Sequence, residues 1–185
     1  MKVGSSLDGK IALSSGESQW ITSDEARKHS RNLRAHYDAT MIGAGTLEKD
    51  DPLLDFRGTG FETLKKNKIV ILDPKGKAVP FFKKSKLKQA HETKNIFVLT
   101  RGEYLEAWSE NLVHVFTWDS AKENWEQALR NLYNKGIASV FVEGGAYVFA
   151  QLLEYQLLQK LYLYQSSKIL GEGKSWSDGF NISSL

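Results

Sequence analysis

A largely apolar run at residues 39–42 stops abruptly at Gly43-Ala44-Gly45-Thr46, and Asp50-Asp51-Pro52 and Arg57 follow within a dozen residues. This stretch limits the possible folds more than any other. Residues 38–42 read as a strand buried on both faces, the kind that helices cover on either side of a parallel sheet. Glycines just past such a strand let a backbone approach a ligand closely, and successive N–H groups cradle a phosphate best where a helix starts. A plain strand-to-helix turn uses the same residues. The spacing is not the dinucleotide motif of doubly wound folds, because Glu48 stands where the third glycine belongs. A second glycine pair after a strand, Glu143-Gly144-Gly145, favours the ligand-binding reading.

The rest of the chain alternates in the same way. Lys2-Val3-Gly4-Ser5 and Ile11-Ala12-Leu13 read as extended segments around an Asp8-Gly9 turn. Gly4 either lets a ligand cross the strand or keeps the strand flat for packing. Thr22-Ser23-Asp24-Glu25 has the form of a capping box, so a helix is expected over 22–37 with Ala26, Leu33 and Tyr37 near one face. Arg34 borders that face, where it serves a salt bridge or an anionic substrate. Strands are expected at 67–72, 95–100, 112–118, 138–142 and 160–168. Residues 81–91 are basic and ambiguous. Ser120-Ala121-Lys122-Glu123 is a second capping box, and Trp125, Ala128, Leu129, Leu132 and Tyr133 repeat behind it at helical spacing until Gly136. A further helix carries Val148, Phe149, Leu152 and Leu153 inward. The fold class is α/β, a three-layer arrangement with a mostly parallel central sheet flanked by helices. Ligands in such sheets sit at strand carboxyl ends, so one crevice is expected to hold both glycine turns and a phosphate-bearing cofactor.

Composition narrows the function. A chain of 185 residues with 41% hydrophobic and 25% charged residues is expected to fold as one soluble domain. A net charge of +3 is too small to imply nucleic acid, and the lysines at Lys65, Lys66, Lys68, Lys83, Lys84, Lys86 and Lys88 read as solvated surface. There is no cysteine, which excludes disulfides, cysteine-based zinc sites and thiol nucleophiles and fits the cytoplasm. His29, His36, His91 and His114 show no metal-ligand spacing, so no metal is expected. No apolar run approaches the roughly 20 residues that span a bilayer, and no leader pattern is present.

Taken together and in order, Lys2-Val3-Gly4-Ser5-Ser6-Leu7-Asp8-Gly9-Lys10-Ile11-Ala12, Gly16-Glu17-Ser18-Gln19-Trp20-Ile21-Thr22, Leu33-Arg34-Ala35, Gly43-Ala44-Gly45-Thr46, Asp50-Asp51-Pro52, Val142-Glu143-Gly144-Gly145-Ala146 and Leu161-Tyr162-Leu163-Tyr164 with Ile169-Leu170-Gly171 resemble one family. It is the reductase domain of the bifunctional riboflavin-biosynthesis deaminase/reductase, with a dihydrofolate-reductase-like fold. The resemblance implies NADPH-dependent reduction of the ribosyl group of 5-amino-6-(5-phosphoribosylamino)uracil to the ribitylamino product. It also implies a homodimer.

Carried over residue by residue, the resemblance implies that Ser18, Arg34, Leu54, Arg57 and Glu143 bind substrate, with Arg34 and Arg57 suited to its phosphate. Gly4, Trp20, Gly43, Gly45, Thr46, Asp50, Gly144, Gly145 and Ala146 then bind the cofactor. Lys2, Asp50 and Glu143 are unranked candidates for orienting the substrate or managing its proton; otherwise they are a solvated lysine, a helix-cap carboxylate and a turn acid. A bidentate arginine grips phosphate well, and hydride transfer needs proximity and a dry site rather than a nucleophile.

The same resemblance makes residues 1–185 a single reductase domain without the family's deaminase half, whose zinc signature is absent. It also makes the C-terminus short, because the family continues past Ile169-Leu170-Gly171 into further strands. A strand edge at 161–164 would then lie open unless a partner subunit covers it. Two other readings stand beside this one. One is a dihydrofolate-reductase-like enzyme for another substrate, which Ser18, Arg34 and Arg57 disfavour. The other is a non-catalytic nucleotide-binding module.

Overall fold

The computed structural model describes residues 1–63, 66–111, 113–119 and 121–180. The chain divides into two compact units: a sheet unit, Arg31–Val142, and a terminal unit, Met1–Ser30 with Glu143–Leu185.

The sheet unit is built on β3 (Ala39–Gly43), β4 (Lys68–Leu72), β5 (Ile96–Thr100), β6 (His114–Thr117) and β7 (Val140–Gly144), whose last two residues belong to the terminal unit. Their order is β6-β5-β4-β3-β7. The β3–β4, β4–β5 and β5–β6 pairs are parallel. Register explains why these strands read as unbroken apolar runs. Ile42 pairs with Ile71 and Ile71 with Val98 on one face, while Met41 pairs with Val70 and Val70 with Phe97 on the other. Every one of these six is buried, so both faces of the sheet are covered. The first face packs with Leu47 of α2 (Ala44–Asp50), Phe82 of α3 (Val79–Phe82), Leu87 of α4 (Lys86–Ala90) and Trp108 of α5 (Leu105–Ser109). The mostly parallel α/β sheet read from the sequence is therefore present.

Several boundaries differ from expectation for local reasons. Helix α1 is Asp24–Arg34 rather than 22–37. Ser23 Oγ, not Thr22, accepts the Ala26 amide at 3.2 Å, which satisfies one orphan donor of the first turn. At the other end the chain tightens into i to i+3 bonds, Ala35 to Asn32, His36 to Leu33 and Tyr37 to Arg34, and leaves the helix. Residues 81–91 take in the end of α3 and the whole of α4, the latter capped by Ser85 Oγ accepting from Lys88 N at 3.1 Å. Helix α6 (Lys122–Asn134) buries Trp125, Ala128 and Leu132, but Tyr133 is 68% exposed on its outer side. At its end Gly136 has φ +71° while the Ile137 amide reaches Leu132 O and the Gly136 amide reaches Tyr133 O, a Schellman stop. Ser120 and Leu112, expected in a cap and a strand, lie outside the described residues. Asp119 Oδ1 accepts the Ala121 amide at 2.9 Å at the start of α6.

In the terminal unit β1 (Lys2–Ser5) pairs in parallel with β8 (Tyr162–Gln165), and β2 (Lys10–Leu13) pairs antiparallel with β9 (Gly173–Ser175). Helix α7 (Ala146–Glu154) buries Val148, Phe149 and Leu152. Strand β9 was not expected. Its Gly173 lies so close to β2 that an added Cβ would sit 2.4 Å from Ala12 O. Asp8 does more than make a turn: its carboxylate accepts from Ser6 Oγ (2.6 Å) and from the amides of Leu170 (3.1 Å) and Gly171 (2.8 Å). That ties the 6–10 turn to the chain entering β9. Among the described residues no helix is long and apolar enough to cross a membrane.

Candidate functional site

The sheet unit carries a group of the expected residues at the end of β3. Gly43 is both the last residue of β3 and the N-cap of α2, with φ −85° and ψ 159°, and no side chain caps the helix. The Gly43-Ala44-Gly45-Thr46 stretch is thus the helix start itself, with no loop between. An added Cβ at Gly45 meets nothing within 4 Å, so packing within the protein does not require glycine there. Asp50 closes α2, and Asp51 turns the chain with φ +38°.

The next residues are held from several directions. Asp51 Oδ1 accepts the Lys86 amide at 2.8 Å. Leu53 O accepts from His91 Nε2 at 2.7 Å, Leu54 O from Asn67 Nδ2 at 2.7 Å, and Asp55 O from Arg34 Nη1 at 2.5 Å. Consecutive carbonyls are therefore each fixed by a side chain from elsewhere in the sheet unit. Leu54 (φ +51°) and Phe56 turn inward at 5% and 4% exposure. Arg57 points out, its side chain 59% exposed, with Nη1 3.4 Å from Asp55 Oδ2. Arg34, Leu54 and Arg57 are thereby gathered around Asp55: Arg34 buried against its backbone, Arg57 loosely on its carboxylate.

The terminal unit gathers a second group. At Gly4, an added Cβ would lie 3.2 Å from Thr22 Cγ2 and 3.7 Å from Lys2 Nζ. The glycine lets Thr22 and the Lys2 ammonium close over the strand, which supplies a packing reason for it. Trp20 has φ +63° and is 65% exposed. The Arg27 guanidinium lies 4.4 Å above its ring, Arg27 Nη1 donates to Thr22 O at 2.6 Å, and Lys168 Nζ donates to Trp20 O at 2.6 Å. Arg27 also pairs with Asp24. Ser18 is half-buried in the loop before Trp20. At the end of β7, Glu143 faces Tyr164. Burial first, then Tyr162 and the Glu143 charge, push the Tyr164 hydroxyl above its ordinary pKa. Tyr164 Oη and His29 Nδ1 share a 2.7 Å hydrogen bond. Gly144 and Gly145 follow, joined by a cis peptide. Gly145 is the N-cap of α7, which has no capping side chain and no acidic residue in its first turn. Such an end presents amide N–H groups and the positive pole of the helix, and Ala146 opens it.

Asn67, His91, Thr22, Arg27 and Lys168 are not among the residues expected from the sequence to bind substrate or cofactor. His91, Asn67 and Lys168 act through bonds to backbone distant in the chain, as His91 does to Leu53 across 38 positions, so no local pattern announces them, whereas Arg27 bonds Thr22 O nearby. Among the described residues no group of three or more His, Cys, Asp or Glu is placed to hold a metal ion.

Comparison with known proteins shows the family of the chain. The model of the RibD C-terminal domain family matches residues 1–185. The chain is similar to the riboflavin biosynthesis protein RibD of Aquifex aeolicus, 32% identical over 180 residues that make up 96% of this chain and 48% of that protein. It is similar to the 2,5-diamino-6-ribosylamino-4(3H)-pyrimidinone 5′-phosphate reductase of Eremothecium gossypii, 31% identical over 90% of this chain and 72% of that protein. The solved structure of Acinetobacter baumannii RibD matches with a TM-score of 0.80 at 29% identity, covering 100% of this chain and 49% of that one. The chain spans about half the length of the RibD relatives it matches.

Proposed function

The chain belongs to the RibD C-terminal domain family, and from that membership we propose that it is an NADPH-dependent oxidoreductase of riboflavin biosynthesis. It reduces the ribosyl group of 5-amino-6-(5-phosphoribosylamino)uracil to the ribitylamino product. Within the molecule, the observation that carries the reading is the placement of Arg34 and Arg57 around Asp55, on backbone fixed at successive carbonyls. A phosphate-bearing substrate accounts for an outward arginine on so firmly held a loop, and a pterin does not require one.

The residues fit an anionic dinucleotide. Helix α7 offers an uncapped N-terminus without an acidic first turn, and Gly45 leaves open space where a side chain would stand. In this proposal Gly4, Trp20, Gly144, Gly145 and Ala146 of the terminal unit hold the cofactor, with α7 taking phosphate. Gly43, Gly45, Thr46 and Asp50 are the proposed cofactor residues of the sheet unit. A bound reduced nicotinamide supplies hydride. Of the chain's own residues, Arg34, Leu54 and Arg57 are the proposed substrate contacts of the sheet unit, and Ser18 and Glu143 are those proposed for the terminal unit. As the ribosyl C1′–O4′ bond opens, O4′ takes a proton, and Lys2, Asp50 and Glu143 are the proposed groups that orient the substrate and deliver it.

The reading includes a homodimer. Leu161 at 40%, Leu163 at 48% and Ile169 at 72% exposure support it, as apolar surface that a partner would cover. Sedimentation velocity tests this. A cytoplasmic location belongs to the same proposal and is tested by cell fractionation. The activity is tested by following nicotinamide absorbance with the phosphorylated pyrimidine, comparing NADPH with NADH. Turnover of dihydrofolate but not of the pyrimidine would replace this function with that of a related reductase. Absence of any NADPH fluorescence change on titration would leave a non-catalytic module.

A further inference from the structure

Helix α4 grips the 51–53 segment from both of its ends. Its first amide, Lys86 N, donates to Asp51 Oδ1 at 2.8 Å, and His91, the residue that ends it, reaches Leu53 O with Nε2 at 2.7 Å. The segment between runs through Pro52, with Asp51 in the left-handed region at φ +38° and Leu54 at φ +51°. Backbone in that region is unfavourable for a non-glycine residue and persists only where surroundings hold it. The holding bonds are therefore what sets where the following residues stand. Asn67 also bonds Thr40 of β3 and so belongs to the core, and Arg34 is already a proposed substrate contact. His91 meets the loop through one atom, from outside the core.

We propose that His91 is a positioning residue for the reaction: through Leu53 it fixes the loop so that Arg57 stands at the substrate phosphate. Because a carbonyl accepts the bond, Nε2 carries the proton and the neutral imidazole suffices. Burial holds the ring below the ordinary histidine pKa, against the Leu53 bond and Asp55, with Arg34 and Lys66 adding to the depression. The proposal rests on the reading of Arg57 given above.

The test compares His91→Ala and His91→Gln with the parent protein, by steady-state kinetics with the phosphorylated pyrimidine and by NADPH titration. His91→Ala is expected to raise KM for the pyrimidine by about tenfold or more, since small displacements of a binding group are costly. Turnover number and NADPH affinity stay within about twofold. His91→Gln, which keeps an N–H donor, is expected to recover most of that loss. If His91→Ala does not fold, His91→Leu and His91→Gln decide: a KM raised in His91→Leu and recovered in His91→Gln supports the proposal, and equal KM values in the two overturn it. A KM unchanged in a folded His91→Ala with a lowered melting temperature overturns this inference alone, because it describes a merely structural contact. A parent protein that does not turn over the pyrimidine overturns the proposed function, and this inference with it.

Discussion

At the scale of single residues, the loop after α2 turns an ordinary surface arginine into a directed one. Arg57 has a weak partner in Asp55 Oδ2 at 3.4 Å, so its charge is available to a stronger anion. Charge-assisted bonds contribute about 1.5–3 kcal/mol, so Arg57→Ala is expected to raise KM for the phosphorylated pyrimidine about 10- to 100-fold. An unchanged KM would remove Arg57 from the site. Gly45 makes an opposite pairing of effects. With open space around it, Gly45→Ala is expected to stabilise the fold by about 0.5–1 kcal/mol through helix preference while weakening NADPH binding. Thermal melts and a fluorescence titration on the same sample check both signs. Asp8 gives a pH test. The Ser6 hydroxyl, then the Leu170 and Gly171 amides, hold its carboxyl at about 2 against an ordinary 3.8. A depressed carboxyl stabilises the folded state fully above its unfolded value and loses that contribution as pH falls from 3.8 through about 2. Carbon NMR titration is expected to find the Asp8 midpoint near 2; a midpoint near 3.8 would mean that the tie to residues 170–171 is not made.

At the scale of elements, what was legible in the sequence was what has a local cause. Strands β3, β4 and β5 announce themselves because burial on both faces demands apolar residues without alternation. Helix α6 does so through Trp125, Ala128 and Leu132 at helical spacing. Tyr133 fits the same spacing loosely and ends up outside, because one residue past Leu132 the helix has already turned away from the core. Strand β9 was hidden: Gly-Lys-Ser carries no pattern, and its pairing with β2 depends on the missing Cβ of Gly173 against Ala12 O. The glycines and arginines of the proposed site are those the family resemblance singles out, while the loop supports His91 and Asn67 are not, since their partners are backbone atoms that only the fold brings near. Asp73 is a hidden element-scale support of the same kind. Buried after β4, its carboxylate accepts the Lys77 and Ala78 amides at 3.0 Å and Trp108 Nε1 at 3.1 Å. Asp73→Ala leaves those donors without it and is expected to cost about 3 kcal/mol or more. Trp108→Phe removes one bond and should cost less. Urea melts that rank the two in the other order would contradict this account of how β4 is joined to α5.

At the scale of the whole molecule, each unit keeps its own support for its part of the chemistry. The sheet unit has a parallel core that fixes the start of α2 and the arginine-bearing loop. The terminal unit has two strand pairs tied by Asp8, with Lys2 on β1; Trp20 lies in the loop after β2, and the open end of α7 follows β7. The family relationship joins these parts into one proposed reaction, in which hydride passes directly to the ribosyl carbon and the chain's side chains hold the phosphate and supply the proton. The most direct measurement is transfer of label from NADPH deuterated on nicotinamide C4 to the pyrimidine, read by mass spectrometry and NMR of the ribitylamino product. Run with each C4 epimer in turn, the account predicts a single deuterium at C1′ from one epimer and none from the other. Product without label from either epimer, or no product from the phosphorylated pyrimidine at all, would contradict it.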